Sequence, residues 1–464
     1  MSFLALNWKK IIITIIVIVL LYLLITGLLP YLFYRPKEIT AEDPSWVESN
    51  ERAVLVDDIS DAWKIRLDLI ENATETLDVA YYAFHGGETV PLFISYLYDA
   101  ANRGVKVRLI LDGVAHGMWQ YDDYIQAFKA HPNIEFAYYQ PISLIRPWTL
   151  QDRMHEKIII ADGKYSLTGG RNIGDKYFTT ENIDNVSIDR DVMLMKTNED
   201  VGLIEEIQKY YNQLWNKEDT DVVTDDKLKA SQMEDAEIGN AELNDLFEQY
   251  APTAPNKEEP VDWASQSYPI ESGYLVANSL HSGAKEPRVW KNMLKLATNA
   301  EDNVFFQTPY AIPTRQMKDE FVEDGLMEKN VTMLTNSLNA SNNVFAYSGY
   351  LNHRNSFIET PIQIYEYQPS DSQVHAKSLI VDDHISAIGS FNFDSRSAHL
   401  STESMLVLNS PEFTEHFKNE INSLFISRSK EITETNKDKT KAHPVKKVVF
   451  NLIRPISKLI EPLL

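Results

Sequence analysis

Two stretches of this sequence share one pattern: HEKIIIAD at residues 155–162 and HAKSLIVD at residues 375–382. Each has a histidine, a lysine two positions later and an aspartate five positions after the lysine. Each is followed, at the same distance from the histidine, by an asparagine: Asn172 in GGRN and Asn392 in GSFN. A pattern of this length would rarely occur twice by chance. The repeat therefore predicts two similar lobes in one chain, which together form one composite active site.

Hydrophobic periodicity around the two motifs alternates between helix and strand in the same order. This alternation predicts an α/β fold, with a sheet flanked by helices in each lobe. In the first lobe the predicted elements are a helix at 62–73, a strand at 77–84, a helix at 91–102, a strand at 105–111, a helix at 122–130 and a strand at 134–139. In the second they are a helix at 289–298, a strand at 304–309, a helix at 315–324 and strands at 331–335 and 362–367.

Changes in composition divide the chain into five regions. Between the lobes the sequence becomes acidic and poor in aliphatic residues, which indicates a partly helical connector. The predicted regions are an N-terminal membrane anchor at 1–37, the first lobe at 50–216, the acidic connector at 217–268, the second lobe at 269–427 and a charged, then basic amphipathic tail at 428–464.

The segment from Ile11 to Leu29 is apolar and long enough to cross a bilayer as a helix. A cleaved signal peptide is the alternative, but its apolar core would be shorter and small residues would follow it. We therefore expect a single-pass anchor in the cell membrane. The flanking charges barely discriminate between orientations, so an extracytoplasmic catalytic body is expected mainly from the short N-terminal tail.

Two other segments are candidates for contact with lipid. The basic residues of the tail VKKVVFNLIRPISKLIEPLL lie among aliphatic ones, a pattern typical of an interfacial segment on anionic lipid. A helix packed on the body is the alternative. The approach to the first motif is longer than the approach to the second, and its extra residues include Arg146, Pro147 and Trp148. These residues predict a loop that meets the membrane or a headgroup, or an ordinary surface loop.

Composition excludes several classes of function. The formal net charge is −23, whereas a protein that grips a nucleic-acid backbone usually presents a basic surface. The chain has no cysteine, which excludes disulfides, thiolate nucleophiles and thiolate metal sites. We therefore expect no nucleic-acid partner. The sequence gives no indication of the oligomeric state.

The repeated residues suit chemistry on a phosphodiester. In a strand, residues two apart share a face, so His155 and Lys157 should project together, while Asp162 should point to the other side and support the structure. The lysines can hold anionic oxygens, one histidine can attack phosphorus, and the other can protonate the leaving alkoxide. No metal or other cofactor is required. The predicted catalytic residues are His155, Lys157, Asn172, His375, Lys377 and Asn392, with Asp162 and Asp382 in support.

These motifs resemble those of the phospholipase D superfamily. Further stretches, among them LDVAYYAF, RMHEKIIIADGKYSLTGGRNIGDKYF and QTPYAIP, are similar to bacterial cardiolipin synthases whose first motif contains GGRNIGD. The resemblance implies transfer of a phosphatidyl group through a phosphohistidine, with His155 as nucleophile and His375 as general acid. It also implies that carboxylates downstream of the motifs orient the histidines. Asp189 and Glu403 occupy those places, with Asp191 as a rival to Asp189.

The leading functional hypothesis is a membrane-anchored phosphatidyltransferase that makes cardiolipin from phosphatidylglycerol. A phospholipase D-type hydrolase, in which water replaces the acceptor alcohol, is the main alternative. A nuclease is disfavoured by the acidity and the anchor, and a non-catalytic interaction protein by the two intact motifs. The expected partners are phospholipid substrates and the membrane.

Overall fold

The computed structural model describes residues 2–34, 39–198, 202–223, 228–323, 326–437 and 444–464. A small part of each predicted region lies outside these ranges. The parts are residues 1 and 35–37 of the anchor, 199–201 and 324–325 of the lobes, 224–227 of the connector and 438–443 of the tail. The helices are α1 Ser2–Gly27, α2 Leu29–Leu32, α3 Ile59–Asn72, α4 Thr89–Asn102, α5 Asp122–Ala130, α6 Leu203–Trp215, α7 Ala230–Tyr250, α8 Pro255–Glu258, α9 Arg288–Thr298, α10 Arg315–Glu323, α11 Val344–Ile358, α12 Ser395–His399, α13 Pro411–Leu424 and α14 Pro444–Leu459.

The strands follow the same internal repeat. They are β1 Val47–Glu48, β2 Arg52–Val56, β3 Thr76–Tyr81, β4 Lys106–Asp112, β5 Ile134–Tyr139, β6 Lys157–Ala161, β7 Tyr165–Gly169, β8 Val186–Ile188, β9 Asp191–Met195, β10 Thr220–Val223, β11 Tyr268–Pro269, β12 Ser272–Ala277, β13 Asn303–Gln307, β14 Ala311–Ile312, β15 Asn330–Asn336, β16 Gln363–Tyr367, β17 Ser372–Val374, β18 Ser378–Val381, β19 Ile385–Gly389, β20 Phe393–Asp394, β21 Ser404–Asn409 and β22 Ser429–Ile432.

Two large mixed sheets form the body, one in each lobe. Within the described residues, the first has the order β10-β5-β4-β3-β6-β7-β9-β2-β11 and the second β1-β12-β21-β19-β18-β13-β15-β16-β22. In each, three parallel strands (β3-β4-β5 and β13-β15-β16) continue into an antiparallel half that begins with the motif strand, β6 or β18. The prediction of an α/β fold with two similar lobes is confirmed.

The two sheets face each other across a shared apolar layer. Ile158 and Ile160 of β6 point into this layer, where they join Ile380 of β18 and Ile388 of β19. Ile159 points the other way, into the core beneath the helices of the first lobe. Strands buried on both faces lack polar alternation, which explains the run of three isoleucines. The start of β6 and the start of β18 are therefore brought to one interface.

Segments outside the predicted lobes complete both sheets. Strand β1 pairs with β12 of the second sheet, and β11 pairs with β2 of the first. In the connector, β10 extends the first sheet beside β5, and α7 packs against α4 and α5. The acidic connector therefore packs on the first lobe over much of its described length.

The chain begins with one long apolar helix. The stretch Trp8–Leu32 has a mean hydropathy of 3.1, and only 6% of its most apolar 18-residue segment is buried. The helix is therefore long and apolar enough to cross a membrane. At the other end of the chain, α14 packs against α11 and buries Phe450 and Ser457. The tail therefore includes a helix packed on the body.

Candidate active site

Both motif histidines lie just before a strand and not within it. Strand β6 begins at Lys157 and β18 at Ser378. The backbone N–H of His155 donates to the carbonyl of Thr402 in the second lobe, and that of His375 donates to the carbonyl of Ile188 in the first. The expected placement of the histidines within the motif strands is therefore wrong at this point. The reason is that the backbone hydrogen bonds of both histidines go to the opposite lobe. His155 bonds to Thr402, and His375 bonds to Ile188 at the end of β8, which pairs with β17 just before this histidine.

Each histidine is paired with a carboxylate from the other lobe. Nδ1 of His155 lies 3.0 Å from Oε2 of Glu403, and Nδ1 of His375 lies 2.5 Å from Oδ2 of Asp189. The rival candidate, Asp191, instead forms ion pairs with Arg66 and Arg171. Both ring orientations are therefore set across the interface, which leaves Nε2 of each imidazole outside these carboxylate pairs.

A glycine makes the approach of one carboxylate possible. A Cβ atom on Gly170, in the GGRN stretch, would lie 2.1 Å from Oδ1 of Asp189. Any side chain at this position would therefore displace the carboxylate that binds His375. Close packing against this carboxylate therefore explains the glycine at position 170.

The two carboxylates have opposite electrostatic environments. Burial alone would raise the pKa of Asp189, but the nearby Lys377 and His375 outweigh it, and the pKa lies well below its usual range. For Glu403, burial dominates over the attraction of Lys157 and raises the pKa to about 8. At neutral pH the site therefore contains one ionised and one protonated carboxyl group.

Both histidines are neutral at pH 7. Burial and, next, the positive charge of Lys157 hold the pKa of His155 well below its ordinary value. Burial and Lys377 lower the pKa of His375 to about 3, against the opposing effect of Asp189. A neutral imidazole has a free lone pair, which is the form needed for attack on phosphorus.

The motif lysines lie beside the histidines. Nζ of Lys157 donates to the carbonyl of His155 and lies 5.2 Å from the ring centre of Tyr82. Nζ of Lys377 donates to the carbonyl of His375 and lies 3.9 Å from Asp189. Burial, together with the like charge of Lys377, lowers the pKa of Lys157 to about 7. Buried ammonium groups of this kind would be stabilised by an anionic ligand.

The two asparagines lie close to the site but are turned toward neighbouring hydroxyl groups. Nδ2 of Asn172 donates to the hydroxyl of Tyr177 at 3.3 Å, and Nδ2 of Asn392 donates to Oγ of Ser397 at 3.3 Å. Among the described residues, neither Oδ1 atom has a hydrogen-bond partner. Each amide therefore leaves an acceptor oxygen unpaired in a largely enclosed position, and its Nδ2 carries a second N–H that can donate to a ligand.

The motif aspartates lie at the far ends of the motif hairpins. The carboxylate of Asp162 accepts from the backbone N–H groups of residues 74–76 at 2.8 to 2.9 Å. Asp382 accepts from those of residues 301–303 at 2.9 to 3.0 Å. Both aspartates have a left-handed backbone, with φ of 53° and 51°. Each therefore ties its hairpin to the start of a central strand, away from the histidines.

Sequence reasoning missed several side chains around the histidines. The ring of Tyr82 meets His155 edge-on at 4.8 Å, and that of Tyr177 meets His375 at 5.6 Å. Glu156, between His155 and Lys157, points to the opposite side and accepts from the hydroxyls of Tyr210 and Ser404. Strand alternation could have predicted the direction of Glu156. The two tyrosines lie within LDVAYYAF and GGRNIGDKYF, the stretches that carry the family resemblance.

The chain has two similar lobes with one motif each, and each motif histidine is paired with a carboxylate of the opposite lobe. These features define a phospholipase D-type enzyme. More particularly, the chain belongs to the family described as cardiolipin synthase, PLD-like domain, which matches residues 67–215 and 293–425.

The chain is also similar to individual proteins, one of which is named as a cardiolipin synthase. The chain is 28% identical over 387 residues to cardiolipin synthase C of Escherichia coli K12, covering 75% of this chain and 80% of that protein. It is 26% identical over 406 residues to an uncharacterised protein of Helicobacter pylori, covering 80% and 78%. The crystal structure of a phosphatidylserine synthase from Haemophilus influenzae superimposes with a TM-score of 0.64 at 14% identity, covering 89% of this chain and 95% of that one. The last likeness shows the fold alone.

Proposed function

We propose that this protein is a membrane-anchored phosphatidyltransferase that makes cardiolipin and glycerol from two molecules of phosphatidylglycerol. The observation that carries the proposal is the reciprocal pairing of His155 with Glu403 and of His375 with Asp189. Family membership supports the phospholipid substrate. Phosphatidylglycerol is a suitable donor and acceptor because its headgroup ends in a free alcohol and its phosphate is a diester.

In the first half-reaction, Nε2 of His155 attacks phosphorus. The bond from phosphorus to the headgroup oxygen breaks, and the departing glycerol alkoxide takes a proton from His375. Lys157 and Lys377 hold the anionic oxygens, and the amides of Asn172 and Asn392 donate to the charge that develops on them. The product is a phosphatidyl group bound to His155.

In the second half-reaction, the hydroxyl of another phosphatidylglycerol attacks the same phosphorus. Its proton passes to His375, which is now neutral, and the bond between phosphorus and His155 breaks. The products are cardiolipin and the original enzyme, so atoms and protons balance over the cycle. Asp189 and Glu403 orient the two imidazoles, while Asp162 and Asp382 support the hairpins.

In this proposal, protonation of His375 accompanies substrate binding, because burial and the charge of Lys377 hold its pKa at about 3. An anionic phosphodiester between the lobes would compensate the charge of Lys377, the main cationic influence on this imidazole, and would raise the pKa. Ionised Asp189 then stabilises the imidazolium. The general acid is thus formed only when a phosphate is in place.

The apolar helix at Trp8–Leu32 supports the anchoring part of the proposal. The proposal also includes a catalytic body on the extracytoplasmic side. Anchoring keeps the site in contact with lipid, and exclusion of water from the site favours transfer over hydrolysis. The full-length chain should therefore remain in the membrane fraction after alkaline carbonate extraction. Its recovery in the soluble fraction would contradict the anchor.

The deciding experiment incubates the purified full-length protein with phosphatidylglycerol vesicles in the presence of a chelator. We expect cardiolipin and glycerol in equal amounts, with no product from the His155→Ala variant. Phosphatidic acid as the dominant product would show that water resolves the intermediate, and the protein would then be a phospholipase D-type hydrolase. Cleavage of DNA with no lipid product would exclude both functions.

A further inference from the structure

Three apolar features meet at the end of the N-terminal helix. The hydroxyl of Tyr31 donates to the carbonyl of Trp148, and the end of α1 contacts the short 3₁₀ turn at Pro147–Gln151. Helix α2 also contacts the 3₁₀ turn at Glu461–Leu463, which directly follows α14. Tyr31, Leu400 and Leu463 form a small buried cluster there. The apolar helix, the loop before the first motif and the C-terminal tail are therefore neighbours.

The loop before the first motif exposes large apolar side chains. Ile142, Leu144 and Ile145 are 58%, 60% and 84% exposed. Arg146, in contrast, is ion-paired with Asp219. Apolar side chains therefore make up most of the exposed surface of this loop.

Helix α14 exposes a continuous apolar stripe. Five of its aliphatic residues recur at helical spacing on the face opposite Phe450 and Ser457, and each is about half exposed or more: Val445, Val448, Leu452, Ile456 and Leu459. The inward side is tied to the body, since Arg454 donates to the carbonyl of Leu351 and Lys446 to that of Asn339. An exposed stripe of this kind on a packed helix marks a contact surface.

We propose that this surface, made of residues 142–148 and the stripe of α14, seats the catalytic body in the interface of an anionic phospholipid bilayer. The surface lies beside the end of the apolar helix Trp8–Leu32. A bilayer crossed by this helix would therefore have its edge at the level of the surface. Charge agrees in sign, because α14 has no acidic residue in a chain of net charge −23, and its Lys458 is exposed, although Lys446 and Arg454 are hydrogen-bonded to the body. Interfacial helices of this composition insert their apolar face to the level of the headgroups and upper acyl chains.

The surface also lies next to the active site. Gln151, at the end of the 3₁₀ turn, accepts a hydrogen bond of 2.9 Å from Arg396, and His155 follows four residues later. A bilayer against this surface would bring phospholipid headgroups close to the segment that leads into His155. The inference deepens the proposed function by stating how the site meets its lipid, but its test does not depend on turnover.

The absence of cysteine in the chain permits a direct test with single-cysteine variants of the full-length protein. Ile145→Cys and Leu452→Cys would each carry an environment-sensitive fluorophore in vesicles of phosphatidylglycerol and phosphatidylethanolamine. The quenchers are spin labels placed either near the headgroup end or near the methyl end of a lipid acyl chain, so that both interfacial and central positions are covered. Lys164→Cys is the matched exposed control, since Lys164 lies at the opposite end of β6 from the site. Leu20→Cys, inside the apolar helix, is the positive control.

We expect strong quenching at positions 145 and 452, and none at position 164. Absence of quenching at either 145 or 452, while position 20 is quenched, would overturn the shared surface. Energy transfer between differently labelled copies at position 452, without lipid quenching there, would show that a second copy of the chain covers the stripe and would also overturn the proposal. Loss of enzymatic activity alone would bear on the proposed function and not on this surface.

Discussion

Asp189 and His375 belong to different lobes, yet Oδ2 of the carboxylate lies 2.5 Å from Nδ1 of the imidazole. Glu403 and His155 form the reciprocal pair at 3.0 Å. Neither lobe therefore contains a motif histidine together with the carboxylate that orients it. Both pairs form only when the two lobes are docked. They differ in charge, because Asp189 is ionised and Glu403 is protonated at neutral pH.

Replacement of the two carboxylates should have unequal effects. Asp189→Asn removes the ionised group that stabilises the imidazolium of His375, so kcat at pH 7 should fall by about 10²- to 10⁴-fold. Glu403→Gln should be milder, because the raised pKa of Glu403, about 8, already makes it neutral at pH 7. Steady-state kinetics of cardiolipin formation measures both. An equal or larger loss in Glu403→Gln would contradict this account.

The two histidines should be essential but chemically distinct. His155→Ala and His375→Ala should each abolish turnover, because one loses the nucleophile and the other the proton donor. Rapid quenching with phosphatidylglycerol labelled in the phosphate should trap an acid-labile adduct, and peptide mapping should assign it to His155. An adduct on His375 would reverse the roles, and near-normal activity in either alanine variant would exclude the composite site.

The rate should fall on the alkaline side of neutrality. Lys157 holds phosphate only while protonated, and its pKa of about 7 means that the charge is lost as pH rises. Glu403, with a pKa of about 8, gains a negative charge over the next interval, which also opposes an anionic substrate. We therefore expect kcat/KM, which reports the free enzyme, to decline more steeply above about pH 7 than the uptake of one proton by His375 requires. A flat profile between pH 7 and 9 would be inconsistent with these charges.

The motif aspartates should matter for stability more than for chemistry. Asp162→Asn replaces a carboxylate that accepts three backbone N–H groups, and Asp382→Asn does the same in the second lobe. Each should lower the free energy of unfolding by about 1–2 kcal/mol, a modest value because both sites are partly exposed. Urea denaturation would measure this. The kcat per folded molecule should stay within about twofold of the wild-type value, in contrast to the loss expected for general-acid variants.

A buried ion pair between the lobes offers a second stability test. Nζ of Lys285 lies 2.5 Å from Oδ1 of Asp152, and both side chains are fully buried. Lys285→Met leaves the aspartate without its cation and should cost about 3–5 kcal/mol in unfolding free energy. The double variant with Asp152→Leu should recover much of that loss. If the double variant is no more stable than the single one, the pair does more than neutralise charge.

The sequence alone predicted most of the secondary structure that carries the site. Helix α5 and strand β5 begin and end at the predicted residues, because their periodicity is strong and local. Helix α11 was not predicted. It packs against α14 and lies beside β14 and β16, so its apolar residues do not form one stripe. A helix covered on more than one side loses the amphipathic pattern by which a sequence indicates it.

By itself the sequence determined the chemical groups of the candidate site: two copies of histidine, lysine and asparagine, and two carboxylates downstream. It could not decide between Asp189 and Asp191, nor assign a carboxylate to each histidine. Only the tertiary structure decided this, through partners 186 and 248 residues apart in the chain. The physical reason is that the pairing depends on how two separately formed sheets pack across a shared apolar layer. Local periodicity contains no information about that packing.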